Sequence, residues 1–415
     1  MQFDFHQTRN IFNAMKKSPY VVFLIMITFF VISFISNIIG PIIPDLIQSF
    51  DLNLTLVSLL PFSFFIAYGI MSIPAGILLE TYHEKKVMLM AFGLATLGSI
   101  LIVLSPNYLS ALLSLFLIGS GMAMLQVVIN PLLRTAGGEE NYANYSVLAQ
   151  LIFGFASSLS PMVYQVFIAQ PAVPAYPFPW LSLYLLFIGL CLLMMFISYL
   201  SKFPAVDLGA DEKPGALAIH LELFRNKQVI LYFIAMLCYV GTEQGIATWI
   251  SQFLATYHGL DPQIDGANTI AYYWGLMTAG GILGMVLLKI LDSRIVLSGF
   301  TFLAIISFVF ALFGSASTSL IAFPLIGFFA SVIYPIIFSL ALNSVTEHHG
   351  SFAGIIVTGI VGGAIFPFII GGIGDIWGLK TGMFVLFLSL GYIFSIGFWA
   401  KPLVNNKRIK LFEGE

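Results

Sequence analysis

Charge is what this sequence most lacks. Only 9% of its 415 residues are Asp, Glu, Lys or Arg, where a soluble domain carries about 25%. Hydrophobic residues make up 59%, and the mean hydropathy is +0.98. A water-soluble fold always leaves much of its surface outside the core, so a chain this apolar has to be wrapped in lipid. The net charge of −2 gives no basic field for nucleic acid. Cysteine is nearly absent: Cys191 and Cys238 both sit in apolar runs, which argues against a disulfide framework and a Cys-based metal site. Also missing are a phosphate-cradling loop with its lysine, zinc-ligand spacing and a credible Ser/His/acid set. The six histidines lie mostly in loops, and His348-His349 reads more simply as a solvated turn than as a metal motif. These absences point away from an enzyme, from ATP-driven work and from a resident cofactor or metal.

What is there is a succession of long apolar runs. A helix needs roughly 20 apolar residues to cross a bilayer. Such runs occupy 20–47, 54–80, 86–105, 108–133, 145–170 and 178–200, then 228–256, 267–291, 295–314, 318–344, 351–376 and 380–400. Between the two groups lies Ser201 to Lys227, the one long charged segment, with Asp207, Asp211, Glu212, Lys213, Pro214 and Gly215. Its part around Leu221 to Phe224 suits a short surface helix. The expected fold is an all-α integral membrane protein of twelve transmembrane helices in two six-helix bundles. Residues 1–200 form the first bundle, 201–227 a cytoplasmic linker and 228–415 the second bundle. The run from Val21 is too long for a signal-peptide core and lacks a small-residue cleavage pattern, so it is read as the first span.

The basic residues give the expected orientation. With the N-terminus inside, Arg9, Lys16, Lys17, Lys85, Lys86, Arg134, Lys202, Lys213, Arg225, Lys227, Lys289, Arg294, Lys401, Lys407, Arg408 and Lys410 all fall on the cytoplasmic side. Only Lys380 falls opposite, so 16 of 17 basic residues obey the positive-inside rule. The prediction is a multi-pass protein of the cell (inner) membrane, surrounded by lipid, with both termini cytoplasmic.

Prolines and glycines inside the runs allow kinks and close helix contacts where neighbours satisfy the freed backbone groups. They include Pro41, Pro44, Pro61, Pro74, Pro131, Pro161, Pro335 and Pro367. The ends of spans 2 and 8, Gly76 to Glu80 and Gly284 to Lys289, are weakly similar, as a duplicated six-plus-six architecture would have them.

Polar groups inside a membrane are expensive and mark function by default. One acid lies near a span centre, Glu243, followed by Gln244. It suits a solute hydrogen-bond acceptor or the binding of a coupling proton or cation, and a structural carboxylate is the rival reading. Gln126 and Asn130 are four apart and share a helix face. Asn37 and Gln150 lie at comparable depth. Amides both donate and accept, which suits the hydroxyls of a neutral polar solute; each could equally be interhelical glue. Among the aromatics near this depth, which include Tyr68, Tyr164, Tyr239, Tyr272 and Trp274, Trp249 and Tyr273 are the selected candidates for stacking on a solute. Asp45 and Asp375 lie towards span ends and read as solvated entrance residues.

Several segments resemble a known family. Gly327-Phe328-Phe329-Ala330-Ser331-Val332-Ile333-Tyr334-Pro335-Ile336-Ile337-Phe338-Ser339-Leu340 resembles the tenth-helix signature of the fucose and glucose/galactose symporters, a branch of the major facilitator superfamily. Val361-Gly362-Gly363-Ala364-Ile365-Phe366-Pro367, with Gly371 and Asp375 after it, is similar to their eleventh helix. Tyr239-Val240-Gly241-Thr242-Glu243 is similar to their seventh, which carries a glutamate there. Asn130-Pro131 matches the fourth, Ala149-Gln150 the fifth, and Pro74-Ala75-Gly76-Ile77-Leu78 the end of the second. The chain departs from the pattern at Gly40, where the fucose symporters have an aspartate that takes part in proton coupling. It departs again at Gln126, where they have a glutamate, and at Gly281, Ala330 and Ile370, where polar residues are expected.

The resemblance implies a monomeric secondary transporter working by alternating access on a small polar solute, a sugar by class. Gln126, Asn130 and Gln150 would bind hydroxyls from one bundle and Glu243 and Gln244 from the other, with Glu243 the central candidate for a coupling proton or sodium ion. The thinner polar lining keeps open an exporter of a more apolar metabolite or drug. A non-transporting receptor or sensor is the alternative from another class, though such proteins usually carry a signalling appendage and both tails here are short.

Overall fold

The computed structural model describes residues 18–138, 142–169, 177–203, 222–345 and 349–403. Most of the charged linker, the basic residues Arg9, Lys16, Lys17, Lys213, Lys407, Arg408 and Lys410, the start of the expected surface helix at Leu221, and His348 lie outside these. Among the described residues, twelve helices are long and apolar enough to cross a membrane. They are α1 (Pro19–Phe50), α2 (Leu54–Leu79), α3 (Thr81–Leu104), α4 (Tyr108–Gly137), α5 (Tyr145–Ala169), α6 (Leu181–Leu200), α7 (Lys227–His258), α8 (Pro262–Leu288), α9 (Ser293–Phe313), α10 (Ala316–Leu342), α11 (Phe352–Trp377) and α12 (Leu379–Trp399). Each coincides with one of the twelve apolar runs.

The ends differ by a few residues for local reasons. Helix α8 starts at Pro262 rather than 267 because Asp261 caps it. The Asp261 carboxylate accepts the N–H groups of Gln263 at 2.8 Å and Ile264 at 3.0 Å, with proline in the first position, where its missing N–H matters least. Similar caps start other helices: Asn53, Asn107 and Asp292 accept from Leu56, Ser110 and Arg294 at 2.8, 2.9 and 2.9 Å. Helix α3 is bounded from Thr81 rather than 86, and its first turn is broken at His83, with φ 63° and ψ 169°, where the chain bends away from α2.

Two helices are interrupted where proline requires it. A proline at position i offers no N–H to residue i−4, and its ring crowds that carbonyl. Pro41 leaves a turn at Asn37–Ile38 in α1, and Pro335 leaves one at Ser331–Val332 in α10. A short 3-10 turn, Gly359–Val361, lies within α11.

Among the first six helices, α1 packs on α4 and α5, and the α2–α3 hairpin packs on α4 and α6. Among the last six, α8 and α9 pack on α10, α7 on α11 and α12, and α9 on α12. The two sets meet chiefly along four pairs, α1 with α7 and with α8, α2 with α11 and α5 with α8. Twelve crossings put Ser18 and Leu403 on the same side, here the termini face; the other is the distal face.

Candidate functional site

The polar centre is built on α7. Glu243 and Gln244 are half-buried, and the Gln244 amide donates to the Glu243 carboxylate at 3.1 Å. Tyr239 lies one helical turn earlier, on the same face of α7. Tyr273 of α8, fully buried, donates its hydroxyl to the Glu243 backbone carbonyl at 3.3 Å. The Tyr239 and Tyr334 rings pack at 5.9 Å and 60°, and Tyr334 stacks in turn on Phe338 at 6.1 Å. Glu243 thus sits in a frame of three tyrosines, from α7, α8 and the restarted second half of α10. Carboxylate, amide and phenol together offer acceptors, donors and apolar ring faces, the three things a polyol presents partners for.

The other expected residues divide into two groups. Asn130 is exposed and donates its amide to the Gln126 carbonyl one turn back at 3.1 Å; Gln126 is half-buried and Gln150 exposed. Among the described residues no hydrogen bond joins these three amides to Glu243, and the Asn130 amide is held by its own helix. Asn37 and Trp249 are engaged. The Asn37 amide donates to the Ser33 carbonyl at 2.9 Å and Ser157 Oγ at 3.0 Å, tying α1 to α5. Trp249 is fully buried and donates its indole N–H to the Pro367 carbonyl at 3.3 Å, tying α7 to α11. Trp274 is buried beside Tyr273, its ring at 5.2 Å and 80°, and its indole N–H has no hydrogen-bond partner among the described residues. The sequence signal for Tyr239 was its spacing of four from Glu243; Tyr334 lay within the tenth-helix signature, with nothing local to single it out.

The two sets of six helices are joined at the distal face. The Asp375 carboxylate, on α11, accepts the backbone N–H groups of Leu54 and Thr55 at 2.8 Å each and the Thr55 hydroxyl. The Asp45 carboxylate accepts the Gln263 amide of α8 at 2.7 Å and the Tyr164 hydroxyl of α5. Gln165 of α5 donates to the Ile264 carbonyl at 3.1 Å and to Asn268 at 3.0 Å, both on α8. Nearer mid-depth, Ser158 donates to the Ala271 carbonyl at 2.8 Å, and Phe62 packs on Phe368 at 5.6 Å. Asp45 and Asp375, read from the sequence as solvated ends, are hydrogen-bonded across the interface.

Close approach supports the same seam. A Cβ at Gly40 would lie 2.4 Å from the Ala247 carbonyl oxygen, and one at Gly371 would lie 2.5 Å from the Leu54 carbonyl oxygen. No side chain larger than hydrogen fits either place with the helices as they stand.

Known proteins share this architecture. The chain is 28% identical over 394 residues to a glucose/galactose transporter of Brucella abortus, covering 92% of this chain and 94% of that one. It is 25% identical to the L-fucose-proton symporter of Escherichia coli, covering 88% and 90%. The crystal structure of the E. coli fucose:proton symporter matches with a TM-score of 0.67 at 24% identity, covering 92% of this chain and 98% of that one. A bacterial homologue of the lysosomal transporter Spinster matches with a TM-score of 0.70 at 13% identity, covering 92% and 98%. The family model of the Major Facilitator Superfamily matches residues 25–367, and the chain belongs to that superfamily of membrane transporters.

Proposed function

We propose that this protein carries a neutral hexose-like sugar across the cell (inner) membrane, coupled to a proton through Glu243. The observation that carries the reading is the Glu243 frame, in which Gln244 bonds the carboxylate, Tyr273 bonds the Glu243 backbone carbonyl and Tyr239 lies one turn away on the same helix. The relatives named as glucose/galactose and L-fucose-proton transporters support the substrate class and the ion. Gln126, Asn130 and Gln150 engage sugar hydroxyls from the first six helices, and Glu243 and Gln244 from the last six, with the buried Tyr273 holding the Glu243 backbone. Asn37 and Trp249 shape the site by fixing α1 to α5 and α7 to α11.

The transport cycle is alternating access between two bundles, 1–200 and 228–415, joined by the 201–227 linker. The conformation described here is the one closed at the distal face. The termini face is cytoplasmic, as the distribution of basic residues requires, and the carrier works as a monomer. Glu243 accepts the coupling proton when the distal face is open and releases it towards the termini face with the sugar.

A ligand that binds the folded state raises its melting temperature. Glucose, galactose and fucose should stabilise the purified protein, and amphipathic drugs should not. The reverse pattern would replace the sugar reading with export of an apolar compound.

A further inference from the structure

We infer that Asp375 is the gate residue of the distal face, an N-cap supplied by one half of the protein to a helix of the other. The inference rests on the alternating-access reading above. The first N–H groups of any helix have no partner within the helix. In α2 those of Leu54 and Thr55 are taken by Asp375, at 2.8 Å each, across a separation of more than three hundred residues. The Thr55 hydroxyl bonds the same carboxylate. A carboxylate here meets both the unpaired donors and the positive end of the helix dipole.

The local sequence builds the contact from both sides. Asn53 caps α2 in the ordinary way through the Leu56 N–H at 2.8 Å, so the two N–H groups between remain for the other half. On α11, Gly371 lies one turn before Asp375, and its missing Cβ lets α11 rest against the Leu54 carbonyl. Gly374, beside Asp375, faces the Leu54 side chain in the same way.

The distal face has other ties: the Asp45 carboxylate of α1 accepts the Gln263 amide of α8 at 2.7 Å, and the Gln165 amide of α5 grips the first turn of α8 at the Ile264 carbonyl and Asn268. These ties sit at the α2–α11, α1–α8 and α5–α8 seams, and only the first caps a helix start. Their chemistry differs: the α5 tie is an amide on a carbonyl and a side-chain oxygen, and the α11 tie is a charge on a helix start. Charge-assisted bonds of the latter kind are the stronger. Opening the distal face has to strip the cap from α2, which leaves those donors to water. Asp375 therefore sets how often the face opens, and it touches no solute.

The test measures the distance between spin labels on Leu52 and Leu260, both in distal-face loops, with and without sugar. Wild type should show a dominant short distance and a longer minor one. Asp375→Ala should raise the ratio of long to short about tenfold, while Asp375→Asn, which keeps one capping oxygen but loses the charge and the second acceptor, should raise it by an intermediate factor. Thr55→Val should move the ratio the same way by a smaller factor, and the double variant Asp375→Ala/Thr55→Val should move it by less than the product of the two. If Asp375→Ala does not fold, the Thr55→Val shift alone decides. Two populations in wild type with an unchanged ratio in the variants would overturn the gate assignment. A single fixed distance in wild type under every condition would instead overturn alternating access.

Discussion

Replacing Gly40 by alanine should loosen the distal face by a calculable amount. Gly40 lies in α1 against α7, and its added Cβ would sit 2.4 Å from the Ala247 oxygen, 3.2 Å from its carbon and 3.6 Å from Ile270 Cδ1. The obstacle is backbone, which cannot rotate aside, so the helices must part by roughly 1 Å to restore van der Waals contact. Overpacking of this kind costs about 1–3 kcal/mol. The contact belongs to the distal-closed state, so the penalty falls on that state and spares the open one. Since about 1.4 kcal/mol is a factor of ten in an equilibrium constant, the open fraction should rise about five- to 150-fold. Ser58 is a suitable reporter, because its hydroxyl is fully buried in the α2–α11 seam against Gly371. In a Ser58→Cys background, a membrane-impermeant thiol reagent added from the distal side should react at least fivefold faster after Gly40→Ala. An unchanged labelling rate in folded, monodisperse Gly40→Ala protein would refute the reasoning.

Three further outcomes are expected. Glu243→Gln should abolish uptake against a gradient and spare solute exchange, as measured in proteoliposomes, because it removes the central protonatable group while keeping its hydrogen-bonding shape. His83→Gly should stabilise the protein by about 1–3 kcal/mol, seen as a higher melting temperature with transport unchanged, because φ 63° and ψ 169° is backbone territory that only glycine occupies without strain. Trp249→Phe should lower the melting temperature by the equivalent of about 1 kcal/mol, through loss of the indole bond to Pro367. Its effect on sugar affinity should be less than threefold, which equilibrium binding would check.

The helices were legible in the sequence because burial in lipid imposes a length and a composition on each one. All twelve runs became helices, and two of the prolines named from the sequence, Pro41 and Pro335, mark real interruptions. Helix starts were less legible, since Asp261 and Pro262 form a cap in a stretch that reads as loop by hydropathy. Of the site residues, Glu243 and Gln244 could be found because a carboxylate in an apolar run is rare. What could not be read was which polar residues are already engaged. Asn37 looks like Gln126 in the sequence, yet its amide is bonded to Ser33 and Ser157, and the latter lies 120 residues away. Asp375 is exposed, as its reading as a solvated end had it, and Asp45 is half-buried; what could not be read is that both carboxylates bond the opposite half of the chain. Gly40, where a family aspartate is missing, is also a point of close approach of α1 to α7, so the substitution changes packing as well as charge.

The most direct test of a central sugar site that couples to protons is transport in proteoliposomes, with a panel of labelled hexoses under separately imposed proton and sodium gradients. Wild-type protein should concentrate at least one hexose when a proton gradient is imposed, should show no such accumulation with sodium alone, and should lose it in Glu243→Gln while still exchanging that sugar. Failure of every hexose to enter or exchange, or accumulation that persists in Glu243→Gln, would contradict the account.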